Sequence, residues 1–201
     1  MLTEDETQEY WEERSNKLGE RTVGYGDKSL EQQDGFYKEV SEFIFNIVDG
    51  SLSTVDYGCG IGRHSPSFTG TYLGIDMTEQ LIRYAMKRNP NKTYICSNNP
   101  YISDDIGGIQ WIQQFFTATV LQHCDDELVL KILDSVYYQK KTNFIFALYE
   151  NSHGFKKSHV IGRKPSDYID FIKKVGFNIG KLQVNTHLNK GEQHSLIKVW
   201  V

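Results

Sequence analysis

The chain has 201 residues, with 22 Lys and Arg against 26 Asp and Glu, a net charge of −4. Hydrophobic residues make up 39% and charged residues 24%, the balance of an ordinary globular protein with enough chain to bury a core without disulfides or metals. The mean hydropathy is −0.49 and no apolar run reaches the length of about 18 residues that a membrane span needs, so a spanning helix is excluded. The acidic balance also lacks the global basic footprint of a nucleic-acid binder.

Residues 1–28 read as an N-terminal arm or lid, and 29–201 as one domain. Met1 to about Leu18 is charged, with Tyr10 and Trp11 as its large aromatics, which fits a short surface helix or arm. Its acidic, polar start does not fit a secretory signal peptide. Gly19, Gly24, Gly26 and Asp27 mark a loop. From Ser29 a helix is predicted, with Phe36, Val40, Phe43, Ile44, Ile47 and Val48 on one face and a stop at Asp49-Gly50. Strands follow at 53–57 and 71–76. Thr78 is placed to cap the next helix, which turns Leu81, Ile82 and Ala85 to the core and ends near Asn89-Pro90.

A third strand is predicted at 93–96, loop over 97–110, and a fourth strand at 114–120. Asp125 or Asp126 caps a helix with Leu128, Val129, Ile132, Leu133 and Val136 on one face. A fifth strand is predicted at 143–148, apolar from Phe144 to Leu148 as a fully buried parallel strand requires. Ser166 caps a last helix, closed by Gly176, and β runs at 177–187 and 194–201 flank the hairpin signal Asn189-Lys190-Gly191-Glu192. The alternation predicts an α/β fold. Its doubly wound, mostly parallel seven-stranded sheet carries helices on both faces, and the closing hairpin adds a reversed last strand.

The chemistry concentrates where the first strand ends. Asp56-Tyr57-Gly58-Cys59-Gly60-Ile61-Gly62 stands at a predicted strand-to-helix turn. Glycines there let backbone approach a ligand closely, and a following helix N-terminus favours a negative group. Asp76 ends the second strand twenty positions after Asp56, where a carboxylate accepts hydrogen bonds from both hydroxyls of a ribose. Together they predict a site for an adenosine-containing ligand. The spacing is GxGxG rather than the dinucleotide GxGxxG, and an acid two residues before the first glycine suits a ligand carrying an ammonium group.

Val55 to His64 followed by Tyr72-Leu73-Gly74-Ile75-Asp76-Met77 resembles motifs I and II of the class I S-adenosylmethionine-dependent methyltransferases. Thr117-Ala118-Thr119-Val120-Leu121-Gln122-His123 resembles the segment after that family's fourth strand, and the final hairpin its reversed seventh strand. The resemblance covers about residues 36–201. It implies S-adenosylmethionine as cofactor, with Asp56 and the Gly58-Cys59-Gly60 backbone holding the methionine moiety. Asp76 would bind the ribose, Met77 would pack on the adenine, and Thr117 and Ala118 would line the floor near the sulfonium.

There are departures. Ser97-Asn98-Asn99 replaces the family's frequent acid after the third strand, Gln113 stands where an Asp is usual, and Arg63 to Gly70 leaves room for only a short first helix.

His123 and Glu150 are the candidate catalytic residues. An imidazole suits removal of a hydroxyl proton, and a carboxylate at the end of the fifth strand is a base or an acceptor-binding group. Each has a plainer reading, His123 as a brace for the loop and Glu150 as a solvated loop residue. His153, His159 and Arg163 lie in the connection where the family builds acceptor pockets, and Arg163 suits an anionic group. Tyr10, Trp11 and Tyr25 are candidates to cover the cofactor. Asn98-Asn99-Pro100-Tyr101 is similar to an amino-methylation motif but follows the wrong strand, so a loop turn is the better reading.

No set of residues has metal spacing. The three cysteines, Cys59, Cys96 and Cys124, are odd in number without CxxC spacing, which fits a reducing, cytoplasmic compartment. The expected activity is methyl transfer to an oxygen or nitrogen of a small acceptor, with no duplex nucleic acid and no membrane as partner. The rival is a non-catalytic S-adenosylmethionine-binding partner subunit. A nicotinamide oxidoreductase is disfavoured by the GxGxG spacing and the hairpin.

Overall fold

The computed structural model describes residues 4–24, 27–99, 111–139, 143–152, 156–157, 160–189 and 192–201. Seven strands form one sheet in the order β3-β2-β1-β4-β5-β9-β8. The chain divides into two compact units, residues 2–98 and 99–201.

In the first unit, helix α1 (Glu4–Leu18) runs into a short 3-10 turn (Gly19–Arg21), and α2 spans Leu30–Phe45. Ser29 caps α2 through a capping box with Gln32, which satisfies two backbone donors reciprocally. Strands β1 (Thr54–Tyr57), β2 (Tyr72–Asp76) and β3 (Thr93–Cys96) pair in parallel, with Asp56 opposite Gly74 and Asp76 opposite Cys96. Helix α3 (Glu79–Arg88) packs on β2 and β3. The predicted Thr78 cap differs in detail: Thr78 occupies the N-cap position, but its hydroxyl makes no capping bond. The Asp76 carboxylate takes the Thr78 N–H instead, at 2.9 Å.

In the second unit, β4 (Gln114–Ala118) pairs in parallel with β5 (Ile145–Asn151). Helix α4 (Asp126–Gln139) follows, and Asp125 caps it by accepting from the Leu128 N–H at 2.8 Å. After the two-residue strands β6 (Lys156–Lys157) and β7 (Val160–Ile161) comes α5 (Pro165–Val175), which packs against α4. Helix α5 begins one residue before the predicted Ser166 cap, because Pro165 suits the first helical position and Asp167 accepts from the Lys164 N–H at 2.8 Å. Gly176 ends it in the left-handed region, as expected.

Strand β9 (Glu192–Trp200) lies antiparallel between β5 and β8 (Lys181–Asn189), which is the reversed last strand the sequence predicts. Strand β5 extends through Glu150 and Asn151, beyond its predicted end. Both residues are polar yet buried: protein donors meet the Glu150 carboxylate, and the Asn151 backbone N–H donates to Gln122 Oε1 at 3.1 Å. Among the described residues no helix is long and apolar enough to cross a membrane.

Candidate functional site

The glycine loop is built in the first unit. Gly58, Gly60 and Gly62 all have positive φ, at 72°, 55° and 71°, which L side chains adopt only with strain. The helix after the loop is short, as the 63–70 spacing predicts: a 3-10 turn of three residues, Ser65–Ser67, with Pro66 inside it. The loop's own donors turn inward. The Gly58 and Cys59 N–H groups both donate to the Ile75 carbonyl, at 2.7 and 2.9 Å. At Gly62 a Cβ would lie 2.8 Å from the Tyr94 hydroxyl, itself tied to Ser65 at 2.8 Å. Gly62→Ala is therefore expected to lower stability by roughly 2–3 kcal/mol in urea unfolding, combining a left-handed Cβ with a clash.

Two carboxylates face this loop. The Gly60 N–H donates to Asp76 Oδ2 and the Thr78 N–H to Oδ1, both at 2.9 Å. Burial pushes the Asp76 pKa up, against the pull of these two donors and of the Met77 N–H. Asp56 is 2% exposed and accepts from the Tyr72 hydroxyl at 2.7 Å. Burial pushes its pKa up to about 7; the Tyr72 bond opposes the rise and Asp76 adds to it. Gly74, opposite Asp56 in register, leaves the space that Tyr72, Tyr94 and the Cys59 thiol occupy. Burial also pushes the Cys59 thiol well up, which keeps it protonated and inert. Met77 is half-buried, and its carbonyl accepts from Cys96 Sγ at 3.6 Å.

The N-terminal helix lies over the same region. Asn98 donates to Gln8 at 3.0 Å and Ser15 to Gln80 at 3.1 Å. Arg14 holds the Thr22 and Gly24 carbonyls, and Arg63 holds the Val23 carbonyl. A Cβ on Gly60 would meet the Val23 side chain at 3.0 Å, so residues 22–24 strap the loop from the arm side. Tyr10 and Trp11 meet edge to face at 5.2 Å.

In the second unit, β4 ends in a strained segment. Thr119, a β-branched residue, has φ of 60°, a conformation costing on the order of 1–3 kcal/mol that concentrates at functional sites. A 3-10 turn, Leu121–His123, follows. Glu150 holds this segment. Its Oε1 accepts from the Thr117 hydroxyl at 2.8 Å and from the Val120 and Leu121 N–H groups at 3.1 and 3.0 Å. Its Oε2 accepts from the Gln122 N–H at 3.1 Å. Burial raises the Glu150 pKa to about 6 against the pull of these donors. The Thr117 side chain is fully buried in this network, while Ala118 is half-buried.

His123 is half-buried, with Nε2 3.3 Å from the Gln122 amide nitrogen. Arg163 is 4% exposed and turned inward: it donates to the Leu121 and Cys124 carbonyls at 2.8 and 2.7 Å and to Asp126 at 2.7 Å. It binds the turn rather than an external anion.

The structure thus gathers Asp56, Gly58, Cys59, Gly60 and Asp76 in one unit, and Thr117, Glu150 and His123 in the other. Tyr25, Pro100, Tyr101, His153 and His159 lie outside the described residues. No group of three or more His, Cys, Asp or Glu suited to a metal occurs among the described residues. Sequence reasoning missed the Tyr72–Asp56 bond, the strain at Thr119 and the Glu150 network. Only the first left a signal, a tyrosine two positions before Gly74 on the same strand face.

No family model matches the chain, and no curated protein sequence matches it. Solved structures do. The chain is similar to magnesium protoporphyrin IX methyltransferase from Synechocystis PCC 6803 with bound S-adenosylhomocysteine. The TM-score is 0.71 at 15% identity, over 99% of this chain and 100% of that one. It is also similar to a TehB-like S-adenosylmethionine-dependent methyltransferase from Corynebacterium glutamicum, with a TM-score of 0.56 at 14% identity over 96% and 97%. Human N-acetylserotonin methyltransferase in complex with S-adenosylmethionine matches with a TM-score of 0.62 at 11% identity, over 98% of this chain and 56% of that one. The chain therefore has the class I methyltransferase fold.

Proposed function

We propose that the protein is an S-adenosylmethionine-dependent methyltransferase acting on an oxygen or nitrogen of a small acceptor. One observation carries the reading: two carboxylates, the buried Asp56 and the half-buried Asp76, flank a left-handed glycine loop in a fold shared with methyltransferases whose structures hold that cofactor or its product. A buried carboxylate with a raised pKa and no cation beside it among the described residues suits a ligand that brings its own positive charge. Asp76, at the end of β2, would accept from the hydroxyls of a ribose. Met77 would pack on the adenine, and Ala118 would border the reacting end.

S-adenosylmethionine supplies an activated methyl on a sulfonium centre. The protein has to orient the acceptor and remove a proton, and His123 is the group available for that. Glu150, with four internal donors, is read as the support of the segment that carries His123. The same saturation of Glu150 favours the second reading, a non-catalytic cofactor-binding subunit. Unimpaired cofactor binding without turnover on any acceptor would mark that reading.

Calorimetry is expected to show S-adenosylhomocysteine binding and no comparable NAD binding. Asp76→Ala should weaken the binding by roughly 1.5–3 kcal/mol, the scale of lost charge-assisted hydrogen bonds. The pH profile follows from Asp56. Its free-state pKa is about 7, and a bound cationic group lowers it, so binding releases a proton below neutrality. Affinity should fall by up to about tenfold per pH unit below 7, and Asp56→Asn should remove that slope. Tight NAD binding without S-adenosylhomocysteine binding would overturn the reading. No salt-sensitive affinity for duplex DNA is expected.

A further inference from the structure

We propose that the hollow between α2, the 65–67 turn and the end of α3 is a binding site for a phosphate group, separate from the ligand of the glycine loop. The hollow has a volume of about 200 Å³. A water takes about 30 Å³ of liquid, so a phosphate fits with its nearest waters. Asp34, Lys38 and Ser41 of α2 are spaced by four and three positions and line one side. Arg63 and Ser67 reach it from the loop after Gly62, and Arg88 from the last turn of α3.

The charge is unbalanced. Lys38, Arg63 and Arg88 meet a single carboxylate in the lining, that of Asp34. Both guanidiniums share it: Arg63 Nε donates to Oδ1 at 3.2 Å and Arg88 Nη2 to Oδ2 at 3.0 Å. Arg88 also reaches Glu20 outside the hollow, at 3.2 Å. Lys38 has no carboxylate within ion-pair distance among the described residues. The Arg63 side chain is only 6% exposed and lies 4.4 Å over the Tyr37 ring. Its guanidinium donates to Asp34, to the Val23 carbonyl and to Gln33 Oε1, and burial pushes its pKa down against the pull of Tyr37 and Asp34, so it brings charge to the hollow rather than a free donor. His64, hydrogen-bonded to Ser41 at 2.8 Å, adds no charge, because burial holds its pKa at about 4.

Glu20 offsets one of these charges at Arg88, and the positive charge that remains is one an anion would balance. The geometry favours phosphate over a carboxylate. Asp34 already fills the planar role between the guanidiniums, whereas Lys38 on α2, Ser67 on the 65–67 turn and Arg88 on α3 line the hollow from three elements, as a tetrahedral group requires. Arg63 links this hollow to the glycine loop, through Gly62 and through the Val23 carbonyl.

The test is calorimetric titration of the full chain with inorganic phosphate and with glycerol 3-phosphate at fixed ionic strength, repeated with saturating S-adenosylhomocysteine. One phosphate should bind, with affinity unchanged by S-adenosylhomocysteine. Lys38→Glu, at an exposed position that leaves the fold intact, should raise Kd at least about tenfold, the effect of reversing one charge close to a dianion. Lys87→Glu, exposed on α3 outside the lining, is the matched control and should leave Kd unchanged. Equal binding of glycerol 3-phosphate assigns the site to a phosphorylated metabolite, and binding of inorganic phosphate alone to the free ion. No phosphate binding, equal binding in wild type and Lys38→Glu, or displacement by S-adenosylhomocysteine would each overturn the proposal. None of these outcomes depends on methyl transfer.

Discussion

Glu150→Ala is expected to destabilise the protein by on the order of 3–5 kcal/mol. The substitution leaves the Thr117 hydroxyl and the Val120, Leu121 and Gln122 N–H groups without their acceptor, and each orphaned buried donor costs about 1–3 kcal/mol before water or local rearrangement recovers part of it. Glu150→Gln keeps one acceptor oxygen and should cost less. The pH dependence separates the residue from a surface carboxylate. Its folded pKa, about 6, lies above the ordinary 4.5, so its contribution is fully present below about 4.5 and is lost as pH rises through 6. The stability gap between wild type and Glu150→Gln should therefore narrow between pH 4.5 and 6.5, by about 2 kcal/mol. Urea unfolding at a series of pH values measures it. A catalytic base without this supporting role would instead show normal stability and lost turnover.

His123→Ala addresses the chemical step. With an acceptor in hand, it should leave S-adenosylhomocysteine affinity nearly unchanged while turnover falls by about 10²–10⁴-fold, the range for removing a general base. If the imidazole only braces the 121–123 turn, the same change should lower stability by about 1 kcal/mol and spare the rate. His123→Gln is the discriminating companion. It keeps a polar contact to Gln122 but has no titratable nitrogen, so a bracing role is rescued and a proton-accepting role is not. Single-turnover rates on the three proteins, with unfolding curves alongside, decide between the two.

The order of elements was legible in the chain because it rests on local patterns. Helix α2 carries its own cap at Ser29, and α5 its own stop at Gly176. Strands β1 and β2 are framed by the Asp49-Gly50 stop, the glycine loop and Asp76. The cofactor half of the candidate site was legible for the same reason, since Asp56, the three glycines and Asp76 lie within about twenty positions of one another. The other half was not. In sequence Glu150 reads as a candidate base or a solvated residue at a strand end, yet it is fully buried because donors about thirty positions earlier, from Thr117 to Gln122, converge on it. Arg163 reads as an anion clamp, yet carbonyls some forty positions away occupy it.

The short helix expected after the glycine loop is a three-residue 3-10 turn, with Gly62 against Tyr94 and Pro66 inside it. Backbone conformation and capping depend on neighbours within a few residues, so sequence determines them. The partner of a buried charge depends on which distant strands come side by side, and only the folded chain brings those partners within hydrogen-bonding distance.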